Sequence, residues 1–404
     1  MRIAYKNGED LSKVGGGRVH FRAVASELAN LGHDVYVVAP QYNSTPWVEF
    51  HSEDVKKIKL RVPGKNVLGY FCYQLQVLLL LPWFKFKYKW DVLLVRGGGP
   101  SPMNGLIFLF ARLLGIRVVL ECNGVSWLEF KSRGFPSFIC KYVQLSAWFQ
   151  AKTASSLIGV TTAICRAYCT LAKRPIKDSC PISNGVFTEK FPLDQRQEIR
   201  KAYGWDDSHI VFIMPSGFAP WHGLNELVEA LSILTPDVTS RVRFVLPGKG
   251  KMFDEIKTLI IQQNLDSFVQ LPGILNRDEI HRILVAADIG MLLRPKPGKF
   301  EIPGSPLKLF EYFGAGLPVI ACSDSYHSQL IPYYSLGIVL DENTPDAIAR
   351  AICEIVDTGG ARFDRQKILA TARNEFDWRK VAERVASVLQ GTEPQLEQWI
   401  SSGS

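Results

Sequence analysis

Pro303-Gly304-Ser305-Pro306-Leu307-Lys308-Leu309-Phe310-Glu311-Tyr312 leads, past Phe313, into Gly314-Ala315-Gly316-Leu317-Pro318-Val319-Ile320-Ala321. The first block reads as a helix start. Ser305 can accept from free first-turn amides, and Pro306 suits a first turn because its missing N–H has no intrahelical partner there. The second block is a Gly-Pro turn followed by a short apolar strand, Val319–Ala321. Helix, turn and buried strand form part of a parallel βαβ unit, and the same alternation continues in both directions along the chain.

In the C-terminal half the further strands are Ile210–Pro215, Arg243–Pro247, Phe268–Leu271, Ile289–Leu293 and Gly337–Leu340. In the N-terminal half Met1–Tyr5 is followed by a Gly-rich turn and apolar residues at helical spacing over Arg18–Leu31. Gly32 stops that helix, and Val35–Ala39, Val92–Val95, Val118–Glu121 and Leu157–Val160 are the later strands. A chain of 404 residues exceeds the range of one core. The expected boundary lies near Pro181–Pro192, where Asn184-Gly185 signals a turn. The fold class implied is α/β, with two Rossmann-like doubly wound domains, residues 1–182 and 183–376, facing each other across a cleft. Residues 377–390 read as a C-terminal helix crossing back to the first domain, and residues 391–404 as a tail. In such folds ligands sit outside the carboxyl ends of the strands.

Composition narrows the classes. Hydrophobic residues make up 47% and charged residues 21%, ordinary for a globular chain. Eight cysteines are scattered without a CxxC pair, which suits a reducing cytosol better than a disulfide framework or a zinc site. Met1–Tyr5 reads as a first strand rather than a secretory signal, and no stretch reads as the ~18 uncharged apolar residues of a membrane span. Residues 1–200 hold 27 Lys/Arg against 14 Asp/Glu, a net of +13, whereas residues 201–404 hold 20 against 25, a net of −5. That asymmetry points the first domain toward an anionic partner, nucleic acid or the inner membrane leaflet. No recognised RNA- or DNA-binding module accompanies it, which argues against nucleic acid.

Glycine-rich loops after strands are where the chemistry gathers. Gly15-Gly16-Gly17 separates the first strand from its helix, although it is not a GxGxxG fingerprint and also fits a flexible turn. Pro215-Ser216-Gly217 and Pro247-Gly248-Lys249-Gly250 follow two strands of the second half, with Trp221-His222-Gly223 before the next helix. Such loops let backbone amides approach a phosphate, and a helix N-terminus adds partial positive charge. Lys308 and Glu311 lie three residues apart on one helical turn. They suit a cation for phosphates and a carboxylate for a ribose diol, or a simple i,i+3 ion pair worth ~0.2–0.5 kcal/mol.

In order and spacing these blocks resemble the family-4 retaining glycosyltransferases of the GT-B fold, over nearly the whole chain. The likeness rests on Gly15–Gly17 with Leu31-Gly32-His33-Asp34-Val35, and on Ile182-Ser183-Asn184-Gly185-Val186. It continues through Trp221-His222-Gly223, Gly248, Pro272-Gly273 and Ala286-Ala287-Asp288, to Ser305-Pro306, Lys308, Glu311-Tyr312 and Gly316–Val319. The resemblance implies that Glu311 holds the nucleotide ribose. Pro306, Leu307 and Lys308 would meet the diphosphate, chiefly through backbone amides, with Ser305 at the same helix start also a candidate for binding it. Gly16 and Gly17 would close over it from the other domain, and Gly15, Ser216, Gly217 and Gly248 are further binding candidates from the Gly-rich loops. Ile274 would meet the base.

Three positions depart from the pattern. Pro303 stands for the first Glu of Glu-x7-Glu, with Glu301 nearby but out of register. His222 stands where many members have a phosphate-binding Lys, and Asn123 where many have a His near the reacting sugar. Trp-His-Gly with Ser-Pro-x-Lys is similar to a branch that builds bacterial surface polysaccharides.

The expected function is therefore transfer of a hexosyl unit, with retention, from a UDP- or GDP-linked sugar to a glycan or polyprenyl-diphosphate-linked acceptor. Lys308, Glu311, His222 and Asn123 are the candidate catalytic residues. The chain contains no Asp-x-Asp, so no metal and no separate cofactor are expected, and fixed donors would stabilise the leaving group. A nucleotide-sugar epimerase and an inactive nucleotide-sugar-binding subunit are the competing readings. A cytoplasmic location, peripheral at the inner membrane face, is suggested by the apolar run Val67–Phe84. Lys85, Lys87 and Lys89 alternate with aromatics just after it, and Lys56, Lys57, Lys59, Arg61 and Lys65 lie just upstream.

Overall fold

The computed structural model describes residues 1–13, 15–42, 45–295, 304–323, 327–359 and 362–401. Its backbone divides into two compact units. Of the described residues, the first comprises those within 1–185, 304–305 and 378–401, and the second those within 186–295 and 306–377.

The first unit begins β1 (Arg2–Lys6), α1 (Gly16–Asn30), β2 (Asp34–Gln41), β3 (Lys56–Arg61), α2 (Val67–Tyr88) and β4 (Val92–Arg96). It continues α3 (Met103–Leu113), β5 (Arg117–Cys122), α4 (Ser126–Ser132), α5 (Ser137–Thr153), β6 (Ser156–Gly159), α6 (Thr162–Ala172) and β7 (Ser179–Pro181). Seven parallel strands lie in the order β3-β2-β1-β4-β5-β6-β7, so strand order reverses between β1 and β4. Apart from the edge strand β3, their interior positions are mostly apolar on both faces, as a sheet covered on both sides requires.

The second unit holds α7 (Arg196–Ala202), β8 (Ile210–Ile213), α8 (Leu224–Ser232), α9 (Pro236–Arg241), β9 (Val242–Val245), α10 (Phe253–Gln262) and β10 (Val269–Gln270). Then come α11 (Arg277–Ala286), β11 (Ile289–Leu292), α12 (Leu307–Gly314), β12 (Val319–Ala321), α13 (His327–Tyr334), β13 (Gly337–Val339), α14 (Pro345–Thr358) and α15 (Arg365–Thr371). Six parallel strands run β10-β9-β8-β11-β12-β13, reversing between β8 and β11. Both reversals leave a crevice at the carboxyl ends of the strands.

α16 (Trp378–Gln390) belongs to the first unit and packs on α1. Trp378, Val381, Ala382, Val385, Val388 and Leu389 are buried at the i, i+3, i+4, i+7 spacing of one helical stripe.

Four features differ from the sequence reading. The chain leaves the first unit after Gly185 rather than after residue 182. Ser183 belongs with that unit because its hydroxyl donates to Glu397 Oε1 at 2.7 Å. The segment read as a tail is consequently anchored: Glu397 is fully buried against Arg384 Nη1 at 3.3 Å, and Trp399, in the short α17 (Gln398–Ser401), is buried as well. Lys56–Arg61 is an edge strand. Lys56 pairs with Asp34, Lys59 sits over the Trp47 ring and Lys65 pairs with Asp10. Lysine on an edge strand discourages pairing with other chains, and these side chains remain exposed. Finally, α2 is long and apolar enough by length and composition to cross a membrane, although its sequence was not read as a span.

Candidate functional site

Loops after β8, β9 and β10 nest against one another beside the strand-order reversal. Gly248 (φ +129°) donates its N–H to Gly273 O at 2.6 Å, and a Cβ there would lie 1.8 Å from Ser216 O. Gly250 is equally constrained, its missing Cβ falling 1.8 Å from Gly217 O. Only glycine permits this approach, which explains why Ser216, Gly217 and Gly248 come together.

His222 closes the first loop. Its Nδ1 accepts from the Ser216 hydroxyl at 2.9 Å and faces the Ala219 N–H at 3.4 Å. The proton of the neutral ring therefore sits on Nε2. Burial, with Lys308 and Arg294 nearby, pushes the His222 pKa down to about 4, so near neutrality it is an uncharged donor. Arg294 follows β11, and its backbone N lies 2.8 Å from where a Gly223 Cβ would stand, which places it on the far side of the same reversal.

The amino end of α12 faces this cradle. Pro306 is its N-cap residue and supplies no side-chain cap. Here the structure corrects the sequence reading, because Ser305 does not cap: its hydroxyl instead accepts from the Asn184 N–H at 3.4 Å. Among the described residues no side chain accepts from the first amides of α12, those of Leu307 and Lys308, which suits an anion. Lys308 Nζ donates to Pro215 O at 3.4 Å, and burial together with Arg294 lowers its pKa to about 8.

Glu311 does not pair with Lys308. Its Oε1 accepts from Arg277 Nη2 at 3.1 Å, so the simple i,i+3 ion pair is set aside. Burial raises the Glu311 pKa, while Arg277 and Lys308 oppose that shift. Ile274, 77% exposed, lies between Gly273 and α11 as an apolar ledge. Arg277 and Arg294 escaped the sequence reading. Asn276-x-x-Glu279 forms a capping box that marks the start of α11, and that signal alone places Arg277 beside Ile274. Glu301 and Pro303 lie outside the described residues.

The remaining predicted residues belong to the first unit. Gly15 is the N-cap residue of α1 and supplies no side-chain cap, so among the described residues no side chain accepts from the amides of Gly16 and Gly17. Beside them Arg18 pairs with Glu9 at 3.2 Å, and Arg96, from the end of β4, reaches within 2.7 Å of a hypothetical Gly17 Cβ.

Asn123 follows β5 and donates from Nδ2 to Glu121 Oε1 at 2.9 Å. Its carbonyl oxygen is thereby the group left to accept from a hydroxyl. Buried Glu121 also receives Tyr5 Oη and His20 Nε2. Burial alone would raise its pKa, but His20, Arg96 and Tyr5 hold it down to about 2. His20 Nδ1 meets Asn184 Oδ1 at 2.5 Å, and Asn184 Nδ2 donates to Ser305 O. No feature of the sequence announces this network, because its members are far apart in the chain. Among the described residues no group of three or more His, Cys, Asp or Glu is placed to hold a metal, and all eight cysteines are free thiols.

Two parallel α/β units, each with glycine-rich loops and an uncapped helix start at its strand-order reversal, define the GT-B class of nucleotide-dependent enzymes. A model of the glycosyl transferases group 1 family matches residues 195–375, and one of the glycosyl transferase 4-like domain matches residues 15–168. The chain belongs to this glycosyltransferase family.

It is 26% identical over 220 residues to the GDP-mannose-dependent alpha-(1-6)-phosphatidylinositol monomannoside mannosyltransferase of Mycobacterium tuberculosis, covering 51% of this chain and 54% of that protein. It is 28% identical over 208 residues to the amylovoran biosynthesis glycosyltransferase AmsK of Erwinia amylovora, covering 51% and 49%. The chain thus spans about half the length of these curated relatives. The crystal structure of Anabaena HepE in complex with UDP shares the fold, with a TM-score of 0.72 at 16% identity over 97% of this chain and 100% of that one.

Proposed function

We propose that the protein transfers a hexosyl unit, with retention, from a nucleoside diphosphate sugar to a glycan or polyprenyl-diphosphate-linked acceptor in surface polysaccharide synthesis. The observation that carries this reading is the convergence, in one unit, of an uncapped helix start, Lys308, a neutral Nε2–H donor on His222 and the Arg277–Glu311 pair. The α12 amides and Lys308 hold the diphosphate, Glu311 grips the ribose diol with Arg277 fixing its carboxylate, and Ile274 lies against the base.

As the glycosidic bond breaks, charge builds on the diphosphate. Lys308 and the helix amides stabilise it as preorganised donors, with His222 adding an uncharged hydrogen bond. The leaving phosphate can then take the proton of the incoming hydroxyl on the same face, which retains configuration without a protein nucleophile. Asn123 accepts from a sugar hydroxyl through Oδ1. No step calls on a metal ion. HepE was crystallised with UDP and the mycobacterial relative is named for GDP-mannose, which favours UDP or GDP as the donor nucleotide. A lipid-linked acceptor implies work at the cytoplasmic face of a membrane.

The presence of His222 and Asn123 where the family pattern has Lys and His supports one other reading, an inactive nucleotide-sugar-binding subunit. Calorimetric titration with UDP, GDP and CMP tests the site. Diphosphates should bind and CMP should not; equal binding of CMP would remove the phosphate cradle from the account.

A further inference from the structure

We propose that the outer face of α2, α3 and α5 is a monotopic membrane-insertion surface for anionic lipid. The three helices pack side by side on one face of the first unit's sheet. Tyr73, Val77, Leu81 and Phe84 from α2, Ile107, Phe108 and Ala111 from α3, and Ala147 and Ala151 from α5 share its core.

The opposite stripes are also apolar, which soluble helices avoid. On α2, Leu68, Phe71, Leu75, Leu79, Trp83 and Phe86 are exposed at intervals of three or four residues, with Leu79 at 69% and Phe86 at 84%. On α3, Leu106, Leu109 and Leu113 repeat the spacing. On α5, Phe138, Tyr142, Leu145 and Trp148 do so again. Apolar patches wider than a few hundred Å² mark contact with a partner or a membrane.

Charge selects the occupant. The three helices contain no Asp or Glu, and they carry Lys85, Lys87, Arg112, Lys141 and Lys152. A second copy docked on this face would set these cations against one another, whereas anionic headgroups complement them and tolerate Trp and Tyr at their level. α2 has the length and composition of a spanning helix, but its inner stripe is fixed in the core. It therefore lies along the membrane surface with its outer stripe immersed.

This deepens the lipid-linked acceptor reading by naming the surface that meets the bilayer. It does not depend on the nucleotide chemistry, and the test keeps the two apart. Flotation of the full chain with phosphatidylglycerol vesicles and with phosphatidylcholine vesicles at low salt is the measurement. Wild type should float with the anionic vesicles, and recovery should fall about tenfold or more on neutral vesicles or in a Lys141→Glu/Lys152→Glu variant. A Leu79→Ser/Leu145→Ser variant should lose binding while keeping UDP or GDP affinity, since both positions are exposed. Three results would overturn the proposal: no flotation of wild type, equal recovery of all variants, or a lipid-free dimer that the leucine changes disperse. Loss of nucleotide binding by wild type with flotation intact would overturn the transferase reading and leave this surface standing.

Discussion

Nucleoside diphosphate affinity should decline as pH rises past about 8, because Lys308 begins to lose its proton there in the free protein. The bound diphosphate stabilises the ammonium, so in the complex the group titrates at higher pH. Between the two values, binding takes up one proton, and Kd should rise by up to about tenfold per pH unit, or ~1.4 kcal/mol.

The sign can be separated from alkaline unfolding. Burial lowers the folded pKa from 10.5 to about 8, so between these values the unfolded chain binds more protons than the folded one. Stability from this group therefore rises with pH over the window in which affinity falls. The assay is calorimetry with UDP and GDP from about pH 7 to about pH 9.5, on wild type and on Lys308→Arg, whose guanidinium does not titrate there. Ionisation of the nucleotide base affects both proteins alike, so the difference in slope belongs to Lys308. Identical slopes for the two proteins would refute the placement of Lys308 on the phosphates.

Glu311→Ala should weaken nucleotide binding by ~1.5–3 kcal/mol, the worth of hydrogen bonds to a charged acceptor, and unchanged affinity in a folded variant would sink the ribose assignment. Turnover should persist in excess EDTA, whereas loss restored by Mg²⁺ would show that the diphosphate needs a metal clamp. Glu121→Gln should lower the urea midpoint near neutrality. Because the folded pKa lies near 2, below the ordinary 4.5, the stability Glu121 contributes is present above about pH 4.5 and is lost as pH falls toward about 2. The gap between variant and wild type should therefore close over that range, and a gap independent of pH would mean that the carboxylate's charge does not carry the effect.

Most strands were legible because a parallel sheet buried on both faces leaves continuous apolar runs; Val319–Ala321 matches the structure residue for residue, the other strands read match within a few residues, and the three-residue β7 at Ser179–Pro181 is too short to leave such a run. β3 was hidden since Lys-Lys-Ile-Lys-Leu-Arg looks like a charged surface run, and only its position at the sheet edge explains it. Ser305 was misread as a cap because Ser-Pro before a helix is the usual local signal, while Asn184, far away in sequence, claims that hydroxyl. Lys308, Glu311 and His222 could be named from the chain, but their partners Pro215, Arg277 and Ser216 are fixed by loop nesting. The Glu121–His20–Asn184 network is tertiary in origin and left no periodic trace.

The central claim is sugar transfer from a nucleoside diphosphate donor, and its most direct test is a panel of nucleotide sugars incubated with the purified chain and a polyprenyl-diphosphate-linked glycan in EDTA. Release of UDP or GDP from one hexosyl donor and gain of one hexosyl unit by the acceptor are expected, with the anomeric configuration retained by NMR. Nucleotide binding without any turnover across the panel, or turnover of a CMP-linked donor, would contradict it.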